Sequence, residues 1–592
     1  MVRYHLAVGD AGAHLFHVRC EVDAPNPAGQ VFRLPGWIRG SYLVRDFAKH
    51  IVDLKATCDG KPIAFERIDK SSLRCAPCKG KLALDYRVYA FDESVRKAYL
   101  DQRRGFFNGT SVFYCAVGAE TARCEVEIAR PTAPDLRNWK LATTLTGVRR
   151  DALGFGRFAA ESYEELIDHP VEMGNFARID FDVDGVPHAL VLAGTHQVDE
   201  ARVARDLTRI CHQQRELFGQ EPKLTEYLFL TRVVGNGYGG LEHRSSTALI
   251  CSRHELPLPG QAELTKDYRG FLSLCSHEYF HLWNVKRITA QAFLDSDLAR
   301  EAYTRDLWHY EGVTSYYDDF FLLRAGVLDP AAYLDVVAEN VTRLSRASGH
   351  QLHTLADASF EAWIKYYQPD ENTPNATVSY YVKGALAAMC LDLHLRLHSK
   401  VTLDDVMRAL WQRYGRDGRG VPEGGLEKIA AEISALDLKP QFDRWLRSTE
   451  PLPIAELLAQ FGVKAEPRAA VSESDAGGRA SGKPAPVGLG LKLRGGETVV
   501  AFVTAGSPAQ AAGISAGDQL VAVDRVKITP ANWQRHLLAM RPERDYLLYL
   551  FRGDELMRVT VRAEAPPLDT WTLTLATAEG EALARRKGWL GA

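Results

Sequence analysis

The sequence predicts a multidomain α+β protein, and three features of its hydrophobic pattern lead to this fold class. The first 180 residues alternate apolar and polar side chains, as in Cys124-Glu-Val-Glu-Ile, which is typical of strands with one solvated face. From about residue 330 to 461, five segments carry the apolar stripe of amphipathic helices. A stretch rich in Ala, Ser, Gly and Pro then precedes a small segment of strands.

These changes of pattern predict several domains in a chain of 592 residues. The N-terminal β domain is expected to be a sandwich, and the second domain begins with strands around one helix before it becomes helical. The composition of the next segment is that of a flexible linker. The predicted boundaries are 1–180 for the β domain, 181–465 for the second domain, 466–486 for the linker, 487–564 for a small domain and 565–592 for a C-terminal extension.

Charge and hydropathy exclude several partners. The net charge of -3 gives no basic surface for nucleic acid or for an anionic membrane. No run of about 18 apolar residues is present, and the first residues lack the basic and apolar regions of a secretion signal. We therefore expect a cytoplasmic protein with neither a nucleic-acid nor a membrane partner.

The ten cysteines do not form a disulfide framework in the predicted organisation. They are spread from Cys20 to Cys390, and several lie in apolar strands or helices as small buried side chains would. Cys75-Ala-Pro-Cys78 is a single CxxC without a second pair to complete a four-ligand metal site. Reduced thiols are the expectation throughout.

The motif His277-Glu-Tyr-Phe-His281 has the HExxH spacing of a zinc peptidase helix. Side chains four residues apart lie on one helix face, so the two imidazoles can bind one ion. Glu278 then stands beside the ion, where a general base takes a proton from the attacking water. The flanks from Phe271 to Val285 are apolar almost all round, which predicts a buried helix whose polar trio needs partners. A chance occurrence of the motif is the alternative.

A catalytic zinc site needs a third protein ligand, and Glu311 is the candidate. It lies thirty residues after His281, in an aromatic run expected to be helical, and would complete a His₂Glu set. Glu301 is a rival carboxylate, but its surroundings are polar and loop-like. A third histidine of the metzincin type is excluded, because Asn284 and Arg287 occupy the positions that such a site requires.

A glycine-rich stretch that contains Gly239, Gly240 and Glu242 follows a strongly apolar strand. Glycines allow another backbone to approach closely, so this stretch could be a strand edge that binds an extended peptide. Glu242 would then hold the free amino terminus of that peptide. A hairpin with an exposed glutamate is the alternative, and the nearby zinc motif favours the binding site.

Two other stretches each allow two roles. A phenol of Tyr380 or Tyr381, near the start of a helix, could donate a hydrogen bond to an oxyanion, although a tyrosine pair is more often part of the packing. The loop from Pro35 to Tyr42 is rich in glycine and aromatic residues. It could contact substrate or pack against the next domain, and we favour packing.

Together these residues resemble the glycyl aminopeptidase family, zinc metallopeptidases distantly similar to aminopeptidase N. The resemblance runs from about Pro35 to the end and implies a thermolysin-like, mostly helical catalytic domain at 181–465. It implies that His277, His281 and Glu311 bind zinc, one ion per chain, and that Glu278 is the base.

The same resemblance implies roles for two further motifs. Gly239-Gly-Leu-Glu-His243 resembles the Gly-Ala-Met-Glu-Asn exopeptidase motif, in which the glycines line the substrate strand and Glu242 holds the α-amine. Three of its five positions differ from that motif. Tyr381-Val-Lys-Gly resembles the family's Tyr-x-Lys-Gly, which selects Tyr381 over Tyr380 as the oxyanion donor.

The small C-terminal domain resembles a PDZ module of the bacterial type. The stretch from Gly506 to Asp518 is its signature, and Leu489, Gly490 and Leu491 occupy the position of the carboxylate-binding loop. Backbone amides there would bind the C-terminal carboxylate of a peptide. A structural PDZ domain occupied by the protein's own chain is the alternative.

The sequence therefore predicts a zinc aminopeptidase acting on peptides with a free amino terminus. A preference for glycine or alanine as the first residue is implied by the resemblance alone. A zinc endopeptidase is one alternative, and a PDZ-led adaptor with an inactive peptidase fold is another.

Overall fold

The computed structural model describes residues 1–219 and 222–592. The chain divides into two compact units, the first formed by Met1–Tyr303 with Leu410–Pro422 and the second by Thr304–Ala409 with Glu423–Ala592. A β-rich N-terminal part, a helical middle and a smaller β-rich C-terminal part follow one another along the chain. The predicted α+β class is confirmed.

The N-terminal part of the first unit consists almost entirely of strands. They are β1 (Val2–Asp10), β2 (Leu15–Val22), β3 (Val31–Arg33), β4 (Ile51–Cys58), β5 (Lys61–Pro62), β6 (Phe65–Arg67), β7 (Ser72–Cys75), β8 (Leu82–Tyr89), β9 (Ala98–Leu100), β10 (Arg104–Phe107), β11 (Cys115–Ala116), β12 (Cys124–Ile128), β13 (Lys140–Ala142), β14 (Thr146–Arg150), β15 (Gly156–Ala160) and β16 (Val171–Gly174), with helix α1 (Tyr163–Ile167) before β16. Phe16, Val18 and Cys20 of β2 are buried while His17 is exposed, so one face of the strand points into the core.

These strands form three sheets. The largest has eight strands in the order β14-β15-β12-β1-β2-β8-β4-β5, in which β1 runs parallel to β12 and antiparallel to β2. Two four-stranded sheets have the orders β13-β16-β10-β9 and β11-β3-β7-β6. The alternation of apolar and polar residues in the sequence is thus the alternation of buried and solvated faces.

The rest of the first unit contains a five-stranded sheet and helices. Its elements are β17 (Ala177–Val183), β18 (Val186–Ala193), α2 (Glu200–Phe218), β19 (Tyr227–Val234), β20 (Gly239–Glu242), β21 (Ser246–Ser252), α3 (Lys266–Phe280) and α4 (Gln291–Leu294). The strand order is β17-β18-β19-β21-β20, which leaves β20 at an edge. Glu242, the last residue of β20, pairs with Thr247 of the antiparallel β21.

Helix α3 carries the HExxH motif and ends earlier than its apolar flanks predict. The last helical residue is Phe280, and His281 is the C-cap with φ -62° and ψ -14°, so its side chain still follows the helix. The chain then turns back, with the N–H of Ile288 donating to Trp283 O at 2.7 Å. The apolar residues after His281 are buried by this compact turn, which hydropathy alone cannot distinguish from a helix.

The second unit begins with helices. They are α5 (Val313–Arg324), α6 (Pro330–Arg346), α7 (Leu355–Phe360), α8 (Ala362–Lys365), α9 (Thr373–Ala376), α10 (Val382–His398), α11 (Leu403–Leu410), α12 (Gly425–Ser434), α13 (Lys439–Leu446) and α14 (Ile454–Ala459). A wide π turn, Trp308–Gly312, leads into α5. Within residues 1–219 and 222–592, no helix combines the length and the apolar character needed to cross a membrane.

The C-terminal part of the second unit is β-rich. Its elements are β22 (Val463–Arg468), β23 (Leu491–Leu493), β24 (Val500–Val503), α15 (Pro508–Ala511), β25 (Gln519–Val523), β26 (Val526–Lys527), α16 (Trp533–Ala539), β27 (Asp545–Arg552), β28 (Glu555–Arg562), β29 (Thr570–Leu575) and α17 (Gly580–Leu590). The order β26-β25-β27-β28 forms a four-stranded sheet, and the residues of 487–563 have their own apolar core. β29 pairs with β22 and so joins the two ends of this part.

Candidate active site

The two histidines of the HExxH motif lie together at the end of α3. Their ring centroids are 4.6 Å apart and the rings are nearly perpendicular, at 87°. His281 is buried and His277 is partly buried. The one-turn spacing therefore brings two imidazoles to one place, as the sequence predicts for a shared ion.

The hydrogen bond of His281 prepares one of its nitrogens to bind a metal. Nδ1 lies 2.9 Å from the backbone oxygen of Asn284, and a carbonyl only accepts, so Nδ1 carries the proton. Nε2 then carries the lone pair of the ring, in the tautomer that metal-binding histidines adopt when a backbone carbonyl orients them. The donor set thus fits a divalent zinc ion.

Glu278 is held in a narrow space between α3 and the edge strand. Its side chain is buried, and the hydroxyl of Thr247 donates to Oε2 at 3.4 Å. A Cβ on Gly240 would lie 2.0 Å from Oε1 of Glu278, which is impossible without displacement of the carboxylate. Gly240 is thus required by close approach to the predicted base.

Glu242 is buried at the end of β20 with an unsatisfied oxygen. The residue is 3% exposed, and within the described residues Oε1 has no hydrogen-bond partner. A buried carboxylate without a partner is costly unless a cationic ligand provides one. Gly40, at φ +90°, lies so close that a Cβ there would be 2.1 Å from Oε1. The hairpin with an exposed glutamate is therefore not what the fold forms.

Three of the predicted residues converge in the first unit. One carboxylate oxygen of Glu242, one of Glu278 and one ring nitrogen of His281 all lie within 4.8 Å of one another. All three residues are buried. Two carboxylates and one imidazole, all three predicted as site residues, are thus brought into one small site.

Asp168 is a residue of this region that the sequence did not reveal. Its carboxylate accepts from Lys286 Nζ at 2.7 Å, from Arg244 N–H at 3.1 Å and from His243 Nδ1 at 3.1 Å. Burial opposes its ionisation, but Lys286 and His243 together lower the pKa of Asp168 far below its usual range. Because His243 follows Glu242 directly, Asp168 fixes the end of β20.

Arg96 connects the glycine-rich loop to the edge strand. Its guanidinium donates to Ser41 Oγ at 2.9 Å and to Gly240 O at 3.1 Å. Ile38 of the loop and Leu241 of β20 also belong to one apolar cluster. The loop therefore packs, as favoured from the sequence, and it packs on the strand that carries Glu242.

In the second unit, Glu311 and Tyr381 lie near each other. Glu311 is buried in the π turn before α5, and π turns are frequent at functional sites. Tyr381 is the N-cap of α10. Burial is the main reason that the pKa of its phenol is raised well above 10, and the negative charge of Glu311 is the second reason. Its hydroxyl thus remains a hydrogen-bond donor at neutral pH.

The two residues that the sequence offered as alternatives differ in exposure. Tyr380 is fully buried, whereas Glu301, in the first unit, is exposed.

The glycines that follow Glu311 and Lys383 lie where two helix backbones touch, which is why no larger residue fits there. A Cβ on Gly312 would lie 2.5 Å from Gly384 Cα. The start of α5 and the start of α10 are therefore in backbone contact. This contact positions Glu311 relative to Tyr381 within the second unit.

The predicted carboxylate-binding loop of the C-terminal domain is compact. The carbonyls of Leu489 and Gly490 accept from Ala509 N–H at 2.9 Å and from Thr504 N–H at 2.8 Å. Gly490 has φ +71°, and Leu491 begins β23. The loop carbonyls are thus bonded within the domain.

All ten cysteines have free thiols. Burial raises the pKa of Cys75 to about 12, so its thiol is unreactive at neutral pH. The expectation of two free thiols at Cys75 and Cys78 is met.

Three family models match the chain. The Peptidase M61 N-terminal domain matches residues 3–175, the M61 glycyl aminopeptidase model matches residues 270–387, and a PDZ domain model matches residues 480–547. The second of these contains the HExxH motif, Glu311 and Tyr381. No curated protein matches the chain.

Solved structures add a match over the whole length. The crystal structure of an aminopeptidase N family protein from Idiomarina loihiensis is 39% identical, covers 100% of both chains and has a TM-score of 0.96. An M1 zinc metallopeptidase from Deinococcus radiodurans is 15% identical, covering 76% of this chain and 94% of its own, with a TM-score of 0.46. A mutant of that enzyme bound to a Tyr-Ser-Ala substrate gives 16% identity, coverage of 76% and 95%, and a TM-score of 0.45.

The fold and the family matches together define a zinc metallopeptidase with a C-terminal PDZ domain. Within that class, the chain belongs to the M61 glycyl aminopeptidase family. The predicted family and enzyme class are confirmed.

Proposed function

We propose that this protein is an aminopeptidase that removes the first residue of peptides with a free amino terminus. The observation that carries the proposal is the convergence of Glu242, Glu278 and His281, with Oε1 of Glu242 buried and unsatisfied. A peptide ammonium is the cation that would complete this carboxylate beside the reacting carbonyl. An endopeptidase would have no use for such a group.

We propose that one zinc ion per chain is held by His277, His281 and Glu311. The His281 tautomer and the burial of Glu311 support this set, because zinc binds neutral imidazole nitrogens and carboxylate oxygens. When bound, the ion supplies Lewis-acid polarisation of water and of the substrate carbonyl.

The protein's own residues transfer the proton, stabilise the negative oxygen and hold the substrate. Glu278 takes a proton from the attacking water and returns it to the leaving amine. Tyr381 donates a hydrogen bond to the oxygen that becomes negative, which requires the protonated phenol that its raised pKa ensures. Glu242 holds the ammonium, while Gly239 and Gly240 line the extended substrate.

We further propose a preference for small first residues, glycine or alanine. The family description supports this preference. The test is a panel of aminoacyl p-nitroanilides with glycine, alanine, leucine and phenylalanine. A kcat/KM highest for leucine or phenylalanine would contradict the preference without affecting the aminopeptidase assignment.

The experiment that tests the aminopeptidase assignment compares a free peptide with its N-acetylated form. We expect acetylation to reduce kcat/KM by at least about 100-fold, since loss of a buried charge pair costs about 2–5 kcal/mol. Equal cleavage of both peptides would indicate an endopeptidase. No cleavage by a zinc-loaded protein would indicate the adaptor with an inactive peptidase fold.

For the PDZ domain we propose binding of a C-terminal peptide at Leu489, Gly490 and Leu491. The inward-bonded carbonyls of this loop support it, since a carboxylate needs backbone N–H groups instead. Fluorescence polarisation with a C-terminal peptide library, and with C-terminally amidated controls, tests it. If amidated peptides bind equally well, the loop is not a carboxylate site.

We also propose that the protein works in the cytoplasm. The ten free thiols support a reducing compartment. Immunodetection after cell fractionation tests the location.

A further inference from the structure

The second unit contains a cavity that is separate from Glu311 and Tyr381. Its volume is about 210 Å³, and it lies between α6, the segment before α14 and β29. Neither Glu311 nor Tyr381 lines it. Most of the lining is apolar, contributed by Val341, Leu344, Leu452, Pro453, Ile454 and Trp571.

Lys383 is a charged residue in the wall of this cavity, and it is almost completely buried. It is 2% exposed, and no atom in the described part of the chain forms a hydrogen bond with its Nζ. Other buried cations differ: Lys286 is paired with Asp168 at 2.7 Å, and Arg215 with Asp184 at 3.1 Å. A buried ammonium without an acceptor is costly, so a site of this kind needs an explanation.

The charged groups around the cavity do not supply a counter-ion. Burial lowers the pKa of Lys383 to about 8, which leaves it mostly protonated at pH 7. His350 also lines the cavity, and burial and then Lys383 lower its pKa. Glu450 is paired with Arg444 at 2.9 Å, and Glu456 is exposed at the rim. Among the described residues, the positive charge of Lys383 therefore has no counter-ion, and its Nζ lies behind the apolar lining with almost no accessible surface.

We propose that this cavity is a binding site for a small monocarboxylate, with the carboxylate on Lys383 and the hydrocarbon chain against the apolar wall. The two oxygens of the ligand's carboxylate provide the hydrogen-bond acceptors that Nζ of Lys383 lacks. The apolar lining selects a hydrocarbon body over an inorganic anion. The volume equals roughly seven water volumes at about 30 Å³ each, which suits an acid of about six carbons.

The test uses hexanoate and the zinc-loaded full chain in isothermal titration calorimetry. We expect saturable binding of hexanoate and at least tenfold weaker binding of the isosteric neutral hexanamide. A carboxylate can also bind at the active site, so Lys383→Met is needed to locate the site. This variant should weaken hexanoate binding at least tenfold, whereas Lys400→Met, the same change at an exposed position after α10, should have no effect.

Absence of binding to the wild type, equal binding of hexanamide, or unchanged binding to Lys383→Met overturns the proposal. Should Lys383→Met fail to fold, wild-type crystals soaked in 6-bromohexanoate decide instead. The anomalous bromine peak is expected among Leu344, Leu452 and Trp571. A peak only elsewhere, or none, overturns the proposal, and neither outcome affects the aminopeptidase assignment.

Discussion

Asp168 and Glu242 are poorly accessible carboxylates of the same part of the first unit, and their surroundings differ in the hydrogen bonds that they provide. Asp168 accepts hydrogen bonds from Lys286, His243 and the backbone of Arg244. Glu242, the neighbour of His243 in sequence, has an Oε1 without any partner in the parts of the chain that the structure describes. The protein satisfies the first carboxylate, and we propose that a ligand satisfies the second.

The number of hydrogen-bond partners distinguishes a structural carboxylate from a ligand-binding one better than burial does. Glu242 is buried at the end of β20, and the Asp168 side chain, which contacts the residues that follow this strand, is only 13% exposed. A satisfied ion pair holds the backbone in place, whereas an unsatisfied carboxylate is retained against its cost only where a ligand completes it. We therefore expect mutations at the two positions to separate stability from activity.

The largest effect is expected at Glu278, the carboxylate within 4.8 Å of Glu242. Glu278→Gln removes the base and should lower kcat by roughly 10²–10⁴-fold, in line with the contribution of a positioned general base. Zinc content by mass spectrometry should be unchanged, because Glu278 is not a proposed ligand. Rapid turnover by this variant would falsify the assignment of the base.

Glu242→Gln should have the next largest effect and should spare stability. We expect kcat/KM for free peptides to fall by at least about 100-fold, with little change in melting temperature, since no hydrogen bond to Oε1 is lost. Activity on N-acetylated peptides, if measurable, should not fall. Glu263→Gln, an exposed glutamate of the same unit, is the matched control.

Gly240→Ala tests whether the position of Glu278 matters at the scale of one atom. The new Cβ would require Oε1 to move from 2.0 Å to contact distance, and a displacement of about 1 Å costs up to about 100-fold in rate. The readout is kcat with intact zinc binding. Gly235→Ala, where the nearest atom to the Cβ is 3.5 Å away, should retain activity. Equal losses in both variants would mean that flexibility of the strand is responsible.

Asp168→Asn should show the reverse pattern, with a small loss of activity and a large loss of stability. Breaking a buried ion pair costs about 3–5 kcal/mol in the free energy of unfolding, measured by denaturant titration. Kinetically, we expect a change below about tenfold that falls mainly on KM, because β20 shifts while the base stays. Asp180→Asn, which alters an exposed ion pair with Arg178, is the control.

The smallest expected effect is a change in how the free energy of unfolding depends on pH, and it is specific to the ionisation of Asp168. The pKa of Asp168 is lower in the folded state, so its contribution is present above the unfolded value of about 3.9 and is lost as pH falls below it. Asp168→Asn should therefore lose less stability than the wild type between about pH 5 and pH 3. Parallel curves for the two proteins would mean that Asp168 is not ionised by its partners.

Much of the fold and several elements of the site could be predicted because their causes are local. The 3.6-residue pattern predicted amphipathic helices from about residue 330 onward, where α6 spans Pro330–Arg346. The spacing of His277 and His281 is set by a single helix turn and needs no tertiary information. The end of α3 at Phe280 was not predicted, because buried turns and buried helices have the same hydropathy.

The sequence by itself determined the zinc motif, the helices, the β-rich N-terminus and the family, since each depends on residues close together in the chain. Only the tertiary structure revealed that Asp168 binds a residue 75 positions later, that Gly40 lies against Glu242, and that Lys383 is buried with no acceptor among the described residues. These contacts depend on how strands and loops pack in three dimensions, and hydrophobic periodicity carries no information about which distant polar groups will meet.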